Sequence, residues 1–282
     1  MILTGHRFDQ SRFTVRESIG IIDSSAVLDV LSGTSPAYAG RSIYQEAICE
    51  KIVGNFWNHE NLKPRGDGVD GYVIGAYHYG KSSREYINAV NSSKADMETL
   101  YENALDPAEW LRQQIKPALR ARSIEFRAAR YHEQSAGGSR ALSWTKVAQY
   151  ALDPHDDVGQ LTRPDQRDFE IQRAKYSTVV AVNMYPFVPD GTGEVRIWNI
   201  QPDDESRHQL GLDHTGYPYE PRLLESTEFI DIAVHTGDIS IFNGKQVHAV
   251  LGEDVPKPIG KQRLLITFFM GFVNDDTVVW WT

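Results

Sequence analysis

Leu152-Asp-Pro-His-Asp-Asp-Val-Gly-Gln-Leu161 sets His155 and Asp157 two positions apart in a loop. Much later, Gly237-Asp-Ile-Ser-Ile-Phe-Asn-Gly-Lys-Gln-Val-His-Ala-Val250 carries His248, and Arg263 follows fifteen positions after it. Two imidazoles and one carboxylate fill one face of an octahedron around a metal ion and leave three positions open. An arginine nearby offers a bidentate fork to a carboxylate ligand. The sequence around both stretches has the texture of sheet.

From Gly137-Gly138 onward the chain is rich in β-branched and aromatic residues. Strands are expected over 139–152, 177–188, 194–200, 229–234, 239–242, 246–251 and 263–273. Turn signals separate them, namely Pro189-Asp-Gly-Thr-Gly193, His235-Thr-Gly-Asp238 and Asn243-Gly244. Asn-Gly between apolar runs predicts a hairpin, with His248 on its second strand. Such a run of short strands without intervening helices suggests a sandwich or jelly roll.

The first part of the chain reads mainly as helix. Tyr44, Ile48, Ile52 and Phe56 recur at four-residue spacing and predict a helix over 41–57. After the Gly-rich turn Arg65–Gly68, residues 72–79 look like a strand. Ser82 with Glu85 is a capping box that opens a helix to about residue 104. Asp106-Pro107-Ala108-Glu109 starts another, with Trp110, Leu111, Ile115, Leu119 and Phe126 on one side and a kink expected at Pro117. The expected architecture is α+β, one domain over 1–282, with a mainly helical flank at 1–136 and a β-core at 137–282.

Composition narrows the partners. The 282 residues are 41% hydrophobic and 24% charged, ordinary for a soluble protein with a substantial core. Asp plus Glu (38) outnumber Lys plus Arg (29), a net charge of −9, which argues against general binding to nucleic acid or an anionic membrane. The single cysteine, Cys49, rules out an internal disulfide and a multi-Cys metal site, and suits a reducing cytoplasm. Met1 to Gln10 lacks the pattern of a signal peptide, and no stretch approaches the length of a membrane span. Asn91-Ser-Ser93 matches a glycosylation acceptor by chance in such a protein. A small-molecule substrate is the expected partner, and a homodimer is left open.

A lone His-x-Asp pair usually does nothing, and a lone strand-end arginine usually meets solvent. The order here is more specific: His-x-Asp after a strand, a long insertion, a Gly-Asp-Ile segment leading to His, then Arg on the next strand. It resembles the Fe(II)/2-oxoglutarate-dependent oxygenase superfamily over residues 139–273. Gly75-Ala-Tyr-His-Tyr-Gly80, Gly193-Glu-Val-Arg-Ile-Trp-Asn199, Gly216-Tyr-Pro-Tyr219, Phe269-Met-Gly-Phe272 and Val279-Trp-Trp-Thr282 resemble a bacterial branch of hydroxylases and radical halogenases that act on free amino acids.

The resemblance implies a double-stranded β-helix core of the jelly-roll, cupin-like kind. It implies Fe(II) held by His155, Asp157 and His248, with 2-oxoglutarate and O2 as co-substrates. Arg263 would pair with the distal carboxylate of 2-oxoglutarate, and Thr267, on the same strand face as Leu265, would add a hydroxyl hydrogen bond. Asp156, in the middle of the motif, should point elsewhere. Halogenases of such groups carry Gly or Ala where Asp157 stands here, so hydroxylation of an unactivated C–H in an amino acid or derivative is the implied reaction. Chlorination, which Asp157 argues against, desaturation and cyclisation are the alternatives within the family.

Substrate contacts are sought at His78, Tyr79, Arg84, Trp198 and Trp281. Each has a plainer role to set beside this: a core histidine, a solvated arginine inside a capping box, a half-buried strand residue, a tail anchor. The loop 201–222, holding His208, His214 and Tyr217-Pro-Tyr219, is a candidate lid. Readings from other classes are a non-catalytic cupin-like binding protein and a metal hydrolase or isomerase using Asp156 or Glu194 as base.

Overall fold

The computed structural model describes residues 3–66, 68–190, 193–252 and 255–282. Met1 and Ile2, Asp67 of the Arg65–Gly68 turn, and Gly191 and Thr192 of the Pro189–Gly193 turn lie outside the described residues. Two large sheets build the β core, beside two two-stranded ones. The larger runs in the order Val15–Ile19, Ala37–Arg41, Ile239–Asn243, Val179–Phe187, Leu264–Asn274, Arg140–Ser143, Tyr72–Ile74 and Lys63–Pro64. Thr277–Trp281 pairs with the far half of Leu264–Asn274, and Glu125–Ala128 adds to it in parallel. The smaller sheet has four strands, Tyr150–His155, His248–Leu251, Val195–Trp198 and Phe229–Ile232.

Period-two alternation divides the larger sheet into two faces. Val180, Val182, Met184, Ile239, Ile241, Leu264, Ile266 and Phe268 pack in one core with Ala26, Ile52, Phe56, Leu111 and Ile115 from the helices. The intervening residues Ala181, Asn183, Phe242, Leu265, Thr267 and Phe269 line a cavity shared with Leu152, Val195, His248 and Val250 of the smaller sheet. Burying the even-numbered residues of Leu264–Asn274 under helices therefore delivers its odd-numbered residues to the cavity.

The helices follow their caps. Ser82 and Glu85 make both bonds of the capping box, and Asp106 accepts from the backbone N–H groups of Ala108 and Glu109. The helix expected to about 104 divides at Ser93 into Ser83–Ser92 and Lys94–Leu100, at a run of Asn and Ser. The helix Pro107–Arg120 contains Pro117 and stops short of Phe126, which belongs to the strand Glu125–Ala128. The first part of the chain also gives the larger sheet Val15–Ile19 and Ala37–Arg41, which the helical reading had not placed. The short helix Ser24–Leu31, capped by Asp23, buries Ala26, Val27, Leu28, Val30 and Leu31 and leaves only Ser24, Ser25 and Asp29 to mark its polar side, a span too short to reveal the period.

Several strand expectations are overturned, the first at 139–152, where the one strand expected divides into Arg140–Ser143 of the larger sheet and Tyr150–His155 of the smaller. Asn243-Gly244 is a turn, but the strands beside it do not pair. Ile239–Asn243 has both edges filled, by Val179–Phe187 and Ala37–Arg41, so the chain crosses to the smaller sheet before His248. The strand expected at 72–79 ends at Ile74, leaving His78 and Tyr79 in a loop.

Candidate active site

His155 ends the strand Tyr150–His155, whose pairing with His248–Leu251 shifts register twice, and His155 stands opposite His248. Bulges of this kind re-aim side chains next to functional sites. The two rings lie 4.1 Å apart between centroids. Asp157 follows in the loop, its N–H donating to the Gly244 carbonyl at 2.8 Å. One ligand atom from each of His155, Asp157 and His248 lies within 4.8 Å of the others.

The donor set fits a metal ion. His155 Nδ1 donates to the Asp153 carbonyl at 2.8 Å, and His248 Nδ1 donates to the Gln246 carbonyl at 2.9 Å. A carbonyl only accepts, so both rings carry their proton on Nδ1 and turn a bare Nε2 inward. Asp157 Oδ1 accepts from Gln160 Nε2 at 3.1 Å, while the buried Oδ2 has no hydrogen-bond partner among the described residues and lies 3.5 Å from His248 Nε2. Burial pushes both imidazole pKa values down, His248 strongly, with the neighbouring His155 adding to that shift. Burial, and then the Asp156 carboxylate, pushes the Asp157 carboxyl well up. A divalent cation at the centre offsets that cost by pairing with the carboxylate and drawing on neutral nitrogens. Gly244 makes room: a Cβ there would stand 2.3 Å from Asp157 Oδ2.

Asp156 does point elsewhere. Its Oδ1 accepts from the N–H groups of Val158 at 2.7 Å and Gly159 at 2.9 Å, and its Oδ2 accepts from Arg207 Nε at 3.0 Å and the Tyr219 hydroxyl at 2.6 Å. A carboxylate with four donors is neither a metal ligand nor a poised base. Glu194 lines a separate surface pocket with His235 and Asp190. The general-base role considered for these two residues in a hydrolase therefore has no support in their surroundings.

The cavity next to the triad encloses about 930 Å³ including its mouth. Arg263 lines it, 3% exposed, with its guanidinium 4.9 Å from the Tyr185 ring centre and 5.2 Å from that of Trp144. It precedes the strand Leu264–Asn274 rather than lying within it. Thr267 also lines the cavity, but its hydroxyl donates to Asn183 Oδ1 at 2.8 Å. That commitment aims the Asn183 amide, itself a lining group, and differs from the hydroxyl-to-cosubstrate bond the resemblance implied.

Of the five substrate residues sought in the sequence, only Tyr79 lines the cavity. His78 is 1% exposed, packed edge-on against Tyr86 and Phe269, with its pKa pushed down to about 3 by burial and then by the Arg140 charge. Arg84 is exposed on the helix Ser83–Ser92. Trp198 falls on the even-numbered face of its strand and packs with Tyr150, Ile200 and Tyr219 on the far side of the smaller sheet. Trp281 is fully buried and stacks beside Phe269, its cross-strand partner, at 5.9 Å, a tail anchor. Sequence reading missed the lining residues Arg65, Arg140, Trp144 and Gln160. The alternation around Leu142 and Leu265 would have marked Arg140, which stands opposite Thr267. The candidate lid is more ordered than expected: it contains the helix Asp204–Leu210 and brings Thr215 and Tyr217 to the cavity, while His208 is turned to Asp213.

Two imidazoles and a carboxylate, buried beside a cavity with an arginine in its wall, define the ligand set of a non-haem Fe(II) oxygenase. An L-isoleucine 3(1)-dioxygenase of Pantoea ananatis (strain AJ13355) is 31% identical over 293 residues, covering 100% of this chain and 96% of that protein. The chain therefore belongs to the Fe(II)/2-oxoglutarate-dependent oxygenases, in the branch of amino-acid dioxygenases. No protein-family model matches it. The crystal structure of an N-substituted L-amino acid dioxygenase from Burkholderia ambifaria AMMD shares the fold, with a TM-score of 0.51 at 12% identity over 92% of this chain and 91% of that one. Among the described residues no helix is long and apolar enough to cross a membrane.

Proposed function

We propose that the protein hydroxylates an unactivated C–H of an aliphatic amino acid or a close derivative, with the two sheets forming one double-stranded β-helix domain. The observation that carries this is the convergence of His155, Asp157 and His248 on one point of a cavity whose wall also holds Arg263. His155 and His248 would hold Fe(II) through Nε2 and Asp157 through Oδ2, with Gln160 fixing the carboxylate's rotation. When bound, the iron supplies O2 activation coupled to decarboxylation of 2-oxoglutarate to succinate and CO2. Arg263 takes the distal carboxylate of 2-oxoglutarate, stiffened by the rings of Tyr185 and Trp144, and Thr267 keeps the Asn183 amide turned for a second bond.

The rest of the lining sorts the substrate. Val69, Leu142, Leu152, Val195 and Val250 offer aliphatic contact, and the guanidinium of Arg140, on the strand beside Thr267, suits the amino-acid carboxylate. Tyr79 and Tyr217 present amphipathic rings to the same space. Asp157 fills the position that chlorination requires to be open, which favours hydroxylation. The buried single thiol of Cys49 accords with a cytoplasmic location.

The test is an aliphatic amino-acid panel with Fe(II), 2-oxoglutarate and O2, followed by mass spectrometry and succinate assay. The expected result is a product heavier by one oxygen atom and succinate in equal amount. Absence of succinate with every amino acid, or a product lighter by two hydrogens, would contradict the hydroxylase reading.

A further inference from the structure

We propose that Asp156, Arg207 and Tyr219 form a positioning lock that fixes the cavity wall at 215–217 against the loop bearing His155 and Asp157. The proposal rests on the reading of the cavity as a hydroxylase site, because it concerns how substrate is held relative to the metal.

The lock is buried and charged. Asp156, Arg207 and Tyr219 are 1%, 5% and 1% exposed. Arg207 lies on the helix Asp204–Leu210 and Tyr219 follows at the far end of the same segment, so one carboxylate oxygen grips the segment at both ends. Thr215 and Tyr217, which line the cavity, lie between the two grips. The backbones are tied as well, Asp156 N–H donating to the Gly216 carbonyl at 2.9 Å and Tyr219 N–H to that of Pro154 at 2.7 Å. Gly159 and Gly216 permit this approach: a Cβ on Gly159 would stand 2.3 Å from Gly216 N, and one on Gly216 would stand 2.4 Å from the Asp156 carbonyl.

A buried ion pair is seldom the most stabilising filling for a core, since apolar residues of equal volume often do as well. What charge and hydrogen bonds add is direction. Here that direction places the wall facing the substrate relative to two of the three metal ligands, and a displacement of about 1 Å at such a wall costs up to about a hundredfold in rate. Loosening the lock should leave cosubstrate turnover running while the substrate C–H is out of reach. Each succinate made without product leaves one oxygen atom, which ascorbate in the assay reduces to water with two electrons.

Tyr219→Phe removes one hydroxyl and keeps the ring; Arg207→Gln removes the charge. Product formed per succinate should fall about twofold in Tyr219→Phe and about tenfold in Arg207→Gln, with KM for the amino acid rising about tenfold. The anaerobic visible band of the Fe(II)–2-oxoglutarate complex should keep its midpoint within about twofold. Amide exchange at Asp156 and Tyr219 should quicken at least about tenfold in both variants. Unchanged coupling and exchange would overturn the lock, as would loss of the visible band in step with KM. A parent protein that hydroxylates no amino acid would instead contradict the functional reading, and the exchange measurement would still decide the lock.

Discussion

The two sheets that enclose the cavity are built on different terms. The larger is covered by helices on one face, and its central strands pair in long runs, five successive residue pairs between Val179–Phe187 and Ile239–Asn243 and six between 179–184 and 266–271, with a shift past Met184. It places Thr267 and Arg140 by alternation and register, with Arg263 just ahead of the strand. The smaller sheet is irregular where it matters, with its pairing broken twice between Tyr150 and His155, and the proposed metal ligands lie at that break and in the loop beyond it. Regular sheet makes a firm floor for the proposed carboxylate contacts. Irregular sheet, tied by backbone carbonyls to both imidazoles, gathers three ligands at one point.

If this division holds, damage to either side should be separable. Replacing His155, Asp157 or His248 with Ala should lower turnover by about a thousandfold or more and remove metal binding, measured by iron retained after gel filtration. Arg263→Leu strikes the other sheet, and KM for 2-oxoglutarate should rise about a hundredfold with iron retention little changed, because a bidentate charged pair is lost from a buried site. Equal loss of iron in Arg263→Leu would erase the distinction between the two walls. Gly244→Ala sharpens it, since its Cβ would crowd Asp157 Oδ2 from the turn that joins the sheets. Iron affinity should fall about ten- to a hundredfold with KM for 2-oxoglutarate nearly constant once the metal is saturating.

The smallest effect concerns His78, behind Phe269 on the larger sheet. Its folded pKa is about 3, against 6.5 for the free side chain. The unfolded chain therefore takes up a proton first as pH falls, and stability is full above about 6.5 and lost as pH drops toward the folded value. The slope from this one group is at most about 1.4 kcal/mol per pH unit. His78→Leu should flatten thermal stability between pH 6.5 and 5 without changing activity at neutral pH. An unchanged slope in thermal melts would show that His78 is not held neutral.

The convergence of His155, Asp157 and His248 was legible in sequence because its signals are local: a two-residue spacing, a turn before His248, and an arginine just ahead of the following strand. The substrate wall was not, and the reasons are geometric. Trp198 fails by parity, since its strand shows the cavity Val195 and sends even-numbered side chains to the opposite face. His78 packs edge-on against Phe269, and Trp281 is its cross-strand neighbour one strand farther from the cavity, placements that spacing does not encode. Asn243-Gly244 misled because a turn propensity says that the chain reverses, while the choice of pairing partner depends on whether the preceding strand has an edge free. Asp156 was set aside as a ligand correctly, but its bonds to Arg207 and Tyr219 join residues more than fifty positions away that no motif links.

The most direct test of the central claim is anaerobic titration of the iron-loaded protein with 2-oxoglutarate while the visible spectrum is recorded. A metal-to-ligand band should grow to saturation at one equivalent in the parent. His248→Ala should show no band, and Arg263→Leu should show the same band with a midpoint raised about a hundredfold. A band that persists in His248→Ala, or a parent protein that gives none, would contradict the assignment of this site.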